Sequence, residues 1–181
     1  MTREQLEHVI RASAAITGVA DIVVIGSQSV LGAFPKAPAE LLISLEADVY
    51  PLQHPQLGEL IDGSIGEGSP FDRSFGYYAH GVDETTAILP EGWRDRLVLV
   101  TGENTRDARG WCLEVHDLAI AKYAAGREKD LDYTRALARH GMTIQDVLEQ
   151  RLASAPLDEA RRGLSRVRIA ADFQGAALAP S

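Results

Sequence analysis

The sequence predicts an α+β fold, with a small mixed β-sheet followed by a helical C-terminal half. Two observations carry this. Short β-branched or apolar runs, each stopped by glycine or proline, recur up to Val115. From His116 onward the spacing turns helical and stays so. At 181 residues the chain has the length of about one domain and buries roughly 70% of its unfolded surface without disulfides or a structural metal.

Each element has a local cause. Thr2 with Gln5 forms a capping box before Leu6, Val9, Ile10 and Ala14, an amphipathic first helix that Gly18 ends. Asp21-Ile-Val-Val-Ile-Gly26 follows, a continuous apolar run of strand length and so a strand buried on both faces. Gln28–Gly32 reads as a short helix entered from that strand, and Pro35–Pro38 as a loop. Glu40–Tyr50 reads as a second strand stopped by Pro51, which Leu41 and Leu42 could begin from a helical turn, with Pro55–Leu60 a short helix and Gly63–Ser69 a glycine-rich loop. Phe75–His80, Leu97–Val100 and Trp111–Val115 complete the strands, and Leu89–Trp93 is a turn. Helices are expected over 117–125, 128–139, 143–153 and 157–171, with Leu118, Leu131, Leu137, Val147, Leu148 and Leu152 buried. This divides the chain into a core over 1–116, helices packed on it over 117–173 and a flexible tail over 174–181.

Composition narrows the function classes. No apolar run approaches the ~20 residues that cross a bilayer, and the polar, acid-containing N-terminus is unlike a secretory or transit segment. With the single Cys112 there is no internal disulfide and no cysteine-cluster zinc site, which fits a soluble protein of the cytoplasm. The net charge of −8 argues against a general nucleic-acid coat, a mode that depends on neutralising phosphates. His80 and His116 are the histidines nearest the sheet, and no His-x-His or His-x₃-His spacing marks a zinc site.

Two features at consecutive strand ends suggest chemistry. Gly26-Ser27 leads a strand into a helix: glycine lets a phosphate approach the backbone, the helix-start N–H groups attract an anion, and the serine hydroxyl can donate to it. Glu46 and Asp48 are two positions apart on the next strand, so both carboxylates share one face. Such a pair is costly unless a cation or hydrogen bonds offset the repulsion, and Mg2+ is the natural cation because it takes one or two carboxylates plus phosphate oxygens. The bland alternatives stand beside these: Ser27 as a helix N-cap, and Glu46 and Asp48 as solvent-facing acids on an edge strand.

The pattern Gly26-Ser27…Glu46-x-Asp48 resembles the Gly-Ser…[Asp/Glu]-x-[Asp/Glu] signature of the nucleotidyltransferase superfamily with the DNA-polymerase-beta-like fold. Pro35–Pro38, the run Leu113–Lys122 and the run Ala125–Asp130 are similar to a bacterial branch of uncharacterised nucleotidyltransferase-like proteins, some of whose relatives are toxins of toxin–antitoxin pairs. The resemblance covers roughly residues 1–140. It implies a sheet of the nucleotidyltransferase type and transfer of a nucleotidyl group from a nucleoside triphosphate to an RNA, a protein hydroxyl or a small molecule. It further implies Mg2+ on Glu46 and Asp48, phosphate on Gly26 and Ser27, and Lys122 or Arg127 assisting at the triphosphate. Two departures matter. The first acid is Glu46 where the pattern prefers aspartate, and the strand over 75–80 carries no third carboxylate, with Asp72 and Asp83 only flanking it and Glu114 on the last strand. The alternative is therefore a catalytically inactive nucleotidyltransferase fold that binds a protein partner, as in a toxin–antitoxin pair. Residues 127–130 also read as a solvated helix face with local ion pairs.

Overall fold

A computed structural model describes residues 1–177. Five strands form one mixed sheet: β1 (Asp21–Ile25), β2 (Glu46–Pro51), β3 (Tyr78–Gly81), β4 (Val98–Val100) and β5 (Arg109–Cys112), in the order β3-β2-β1-β5-β4. β1 pairs antiparallel with β2 and parallel with β5; β2 pairs parallel with β3, and β4 antiparallel with β5. The first two strands in chain order are thus neighbours in the sheet. β1 is central, which is why Ile22, Val23 and Val24 are all fully buried.

Among the described residues eight α-helices accompany the sheet: α1 (Arg3–Thr17), α2 (Val30–Ala33), α3 (Gly58–Ile65), α4 (Pro70–Phe75), α5 (Val115–Ala125), α6 (Glu128–Arg139), α7 (Gln145–Ala153) and α8 (Glu159–Ala177). α1 begins with the predicted capping box and ends on left-handed Gly18. Its buried stripe is Leu6, Val9, Ile10 and Ser13 rather than Ala14. A side chain at Gly110 would strike Ile10 and one at Gly32 would strike Cys112, so α1 and α2 lie tightly on the sheet face that Gly110 and Cys112 share. Val24 pairs with Cys112 and with Val49, which assigns them to that face together with Ala47.

The structure corrects several boundaries. β2 starts at Glu46 rather than Glu40, because Ala39–Leu41 form a 3-10 turn and Ile43 and Leu45 face solvent. Between the loop expected over Gly63–Ser69 and the strand expected over Phe75–His80 lies α4, started by Ser69, whose hydroxyl accepts from the Asp72 N–H, and by Pro70 at the first helical position. The last helix runs to Ala177, so Gln174–Ala177 belong to it rather than to a tail; residues 178–181 lie outside the described residues. Of the predicted helical core, Leu118, Leu137, Leu148 and Leu152 are buried, while Leu131 and Val147 are half-buried at the border of their stripes.

The chain forms two compact units. One comprises residues 1–86 and 96–114 and holds the whole sheet; the other comprises residues 87–95 and the chain from Val115 on. Residues 87–95, which include the turn read from sequence over Leu89–Trp93 and assigned there to the core over 1–116, join the second: the Glu91 N–H donates to the Ser154 carbonyl at 3.1 Å, and Leu89 is buried. In the helical unit α5 packs on α6, α7 and α8, and α8 also on α6 and α7. No helix among the described residues is long and apolar enough to cross a membrane.

Candidate functional site

β1 ends at Ile25, and the chain turns at Gly26 into a 3-10 turn over Ser27–Ser29. The Ser29 N–H and hydroxyl both donate to the Gly26 carbonyl, at 3.2 and 2.8 Å, closing the turn. Gly26 has φ 72° and ψ −170°, a conformation essentially reserved for glycine. Space demands glycine as well, since a Cβ there would lie 2.0 Å from Asp48 Oδ2. Antiparallel pairing sets Asp48 opposite Ile25 and so brings its carboxylate against the turn. Gln28, fully buried, donates from Nε2 to the Ser44 carbonyl at 3.1 Å and ties the turn to the entrance of β2.

Glu46 and Asp48 share the face of β2 opposite Ala47 and Val49, both of which are fully buried. Parallel pairing with β3 aligns Glu46 with Tyr78 and Asp48 with His80. The Tyr78 hydroxyl donates to Glu46 Oε2 at 3.1 Å. His80 Nδ1 lies 3.1 Å from Asp48 Oδ1 and 3.8 Å from Glu46 Oε1. One ligand atom from each of Glu46, Asp48 and His80 falls within 4.8 Å of the others.

The electrostatics reflect this crowding. Burial, followed by the negative charge of Glu46, pushes the Asp48 carboxyl up to about 6, against the smaller opposing effect of its hydrogen bond with His80. Burial and the same Glu46 charge push the Tyr78 phenol up to about 12. A donor set of two carboxylates and an imidazole, one carboxylate seated in the cradle left by the missing Gly26 side chain, fits a divalent cation.

Of the residues singled out by sequence, Gly26, Ser27, Glu46 and Asp48 gather at adjacent strand ends. Lys122 and Arg127 belong to the helical unit, where both hold Asp130: Lys122 Nζ lies 3.0 Å from Oδ1 and Arg127 Nε 2.6 Å from Oδ2. In the face over 127–130, Arg127 is exposed and makes a local ion pair as expected, but Asp130 is fully buried and so is not part of a solvated face. The acids flanking β3 serve local turns: Asp72 accepts from the Gly68 N–H, and Asp83 from the Thr85 N–H and hydroxyl. Cys112 is a core thiol, pushed up to about 12 by burial.

His80 is the residue that sequence reasoning missed. Its spacing from other histidines carries no information, because its neighbours in the site come from another strand. The usable signal was its alternation with Tyr78 on a strand, which becomes informative once that strand is known to pair with β2.

Residues 4–162 match a family described as nucleotidyltransferase of unknown function (DUF6036). The chain belongs to this nucleotidyltransferase family. No curated protein and no solved structure matches it. The mixed sheet with Gly26-Ser27 and Glu46-x-Asp48 on neighbouring strands is consistent with a fold of the nucleotidyltransferase type.

Proposed function

We propose that this nucleotidyltransferase-family chain transfers a nucleotidyl group from a nucleoside triphosphate, with Glu46 and Asp48 holding a divalent cation and Gly26 and Ser27 receiving the phosphates. The observation that carries the reading is the seating of the Asp48 carboxylate against Gly26, with Glu46 on the same strand face. Two acids are thereby concentrated beside the Gly26-Ser27 turn, and His80 Nδ1 lies 3.1 Å from Asp48 Oδ1 and 3.8 Å from Glu46 Oε1. In such a site a divalent cation supplies charge neutralisation on the triphosphate and activation of an attacking hydroxyl. In the reaction the acceptor oxygen bonds the α-phosphorus, its proton goes to water, and the bond to the β-phosphate oxygen breaks to release pyrophosphate.

The chain's own residues bind and orient. Gly26 keeps a side chain away from the phosphates, the Ser27 hydroxyl donates to a phosphate oxygen, and the Glu46 and Asp48 oxygens set the position of positive charge. The acceptor is the hydroxyl of an RNA, a protein or a small molecule. Roles for Lys122 and Arg127 at the triphosphate rest on the family resemblance, since both side chains are engaged by Asp130.

Titration calorimetry with nucleoside triphosphates and Mg2+ or Mn2+ tests the reading. The wild type binds; Glu46→Gln and Asp48→Asn fold and lose metal-dependent binding; Ser27→Ala weakens it about tenfold, the worth of one hydroxyl hydrogen bond at ~1 kcal/mol. Amide variants that unfold would make the acids structural and end the proposal. A second reading is favoured by the absence of a carboxylate on β3, where His80 stands. It is an inactive nucleotidyltransferase fold kept as a protein-binding module, of the kind found in toxin–antitoxin pairs. A folded wild type that binds no triphosphate with either metal would establish it over the first.

A further inference from the structure

We infer that His80 is the third ligand of the cation site and shifts its preference from Mg2+ to a transition-metal ion that accepts nitrogen, Mn2+ being the probe. The inference rests on the metal-dependent reading above and adds both a ligand and a metal class to it.

The register is the first support. Residues aligned across parallel β2 and β3 project to the same side, and Asp48 is aligned with His80. The second is distance. Ligands on bonds of ~2.1 Å stand about 3 Å apart in adjacent octahedral positions, and His80 Nδ1 lies 3.1 Å from Asp48 Oδ1. Glu46 Oε1 lies 3.8 Å from the same nitrogen, and one ligand atom from each of the three residues falls within 4.8 Å of the others. Access is the third: His80 is half-exposed and Glu46 more than a third exposed, so neither is sealed from an entering ion. No other group of three or more histidine, cysteine or acidic side chains among the described residues is arranged in this way.

The chemistry then separates the metals. Mg2+ is a hard ion that keeps its water and favours oxygen ligands. Imidazole suits later first-row ions, and affinity for mixed nitrogen and oxygen sites rises from Mn2+ to a maximum at Cu2+, with Zn2+ below that maximum. An imidazole in place of a third carboxylate removes one negative charge and one oxygen donor. Both changes weaken Mg2+ more than Mn2+. When Nδ1 ligates, it carries no proton, so the hydrogen bond that joins it to Asp48 in the metal-free protein gives way to shared coordination.

The test is pulsed electron paramagnetic resonance of Mn2+ bound to the full chain, alone and with a non-hydrolysable nucleoside triphosphate, together with Mg2+ competition. Circular dichroism verifies the fold of His80→Asn and His80→Asp. The expected result is nitrogen modulation of the Mn2+ signal in the wild type and its loss in His80→Asn. In His80→Asp, which restores a third carboxylate, the preference for Mn2+ over Mg2+ falls at least tenfold. Mn2+ bound to the wild type without nitrogen modulation, and equally well to His80→Asn, would overturn the inference and leave the proposed function standing, with His80 merely a hydrogen-bond partner of the acids. No binding of either metal to the wild type, with or without the triphosphate analogue, would remove the inference and the proposed function together.

Discussion

Asp48 in the sheet unit and Asp130 in the helical unit are both carboxylates drawn away from water, 24% and 0% exposed, yet their acidities move in opposite directions. Burial raises both. At Asp48 the neighbouring charge is another acid, Glu46, and the pKa climbs to about 6. At Asp130 hydrogen bonds from Arg127 and Lys122 outweigh burial and hold the carboxyl below its ordinary range. The other buried acids of the helical unit are also provided for. Asp117 lies 3.5 Å from Arg151, and Asp172 accepts from the hydroxyls of Tyr123 and Thr134 at 2.8 and 3.0 Å. A fold that supplies cations and donors to its acids in one unit and crowds Glu46 and Asp48 together in the other is spending stability at the second place, which supports the proposed reading of that place as a cation site.

The comparison breaks first at Asp130. Asp130→Ala leaves Lys122, itself only 12% exposed, without its partner, and removing one member of a buried pair costs about 3–5 kcal/mol. Urea denaturation followed through the helical signal checks this. A loss below ~1 kcal/mol would mean that Asp130 is not the anchor the geometry makes it.

Gly26→Ala comes next. It imposes backbone strain of about 1–3 kcal/mol and presses a methyl group against Asp48 Oδ2. Part of the cost therefore belongs to Asp48. In an Asp48→Ala background the same substitution is expected to cost at least ~1 kcal/mol less, a coupling that a double-mutant cycle reads directly. Additive costs would show that the acid yields freely and does not define the turn.

The legible and illegible parts of this molecule divide along the same line. α1 with its capping box, β1 with its glycine stop and the four C-terminal helices follow from local patterns; those four begin within about two residues of expectation, and all but α8, which runs on to Ala177, end where expected. Glu46, Asp48, Gly26 and Ser27 were legible because i, i+2 spacing on a strand and a strand-to-turn glycine are local too. Apolarity misled where it was exposed: Ile43 is 78% exposed, so Leu41–Leu45 looked like strand without being one. His80 was illegible for a different reason. Its partners are set by the order β3-β2-β1 and the register of a parallel pair, and no spacing along the chain encodes either.

Asp48→Asn sharpens the comparison through pH. A folded-state pKa of about 6, above the unfolded value near 4, means that the folded protein holds this proton more tightly. Wild-type stability therefore falls as pH rises from about 4 to 6 and levels off beyond. The amide lacks this fall, so the variant matches the wild type near pH 4 and exceeds it by about 1–3 kcal/mol above pH 6.5. The sign inverts at Asp130, whose lowered pKa contributes stability above pH 4 that is lost as pH falls through the folded value. Denaturation midpoints of the wild type and of Asp48→Asn from about pH 2.5 to 7.5 distinguish the two, the Asp48 effect lying above about pH 4 and the Asp130 effect below it. A gap between Asp48→Asn and wild type that does not change across that range would show Asp48 to be an uncrowded acid.

The smallest effect is expected at Arg127, and it separates the two cations of Asp130. Arg127 is 62% exposed, so its ion pair is screened by solvent and its removal costs about 0.3–1 kcal/mol. Lys122 remains beside the carboxylate and keeps it from standing alone. Raising the salt to about 1 M, where the Debye length is ~3 Å, should erase most of the Arg127→Ala difference but little of the Asp130→Ala difference. The same variant examines the role that the family resemblance gives Arg127. Its fold is expected to survive, so triphosphate affinity can be measured without a stability correction. An affinity equal to wild type would restrict Arg127 to its pairing with Asp130, and a loss of tenfold or more would give this exposed cation a second task that its neighbour, held deeper beside the same acid, is less free to perform.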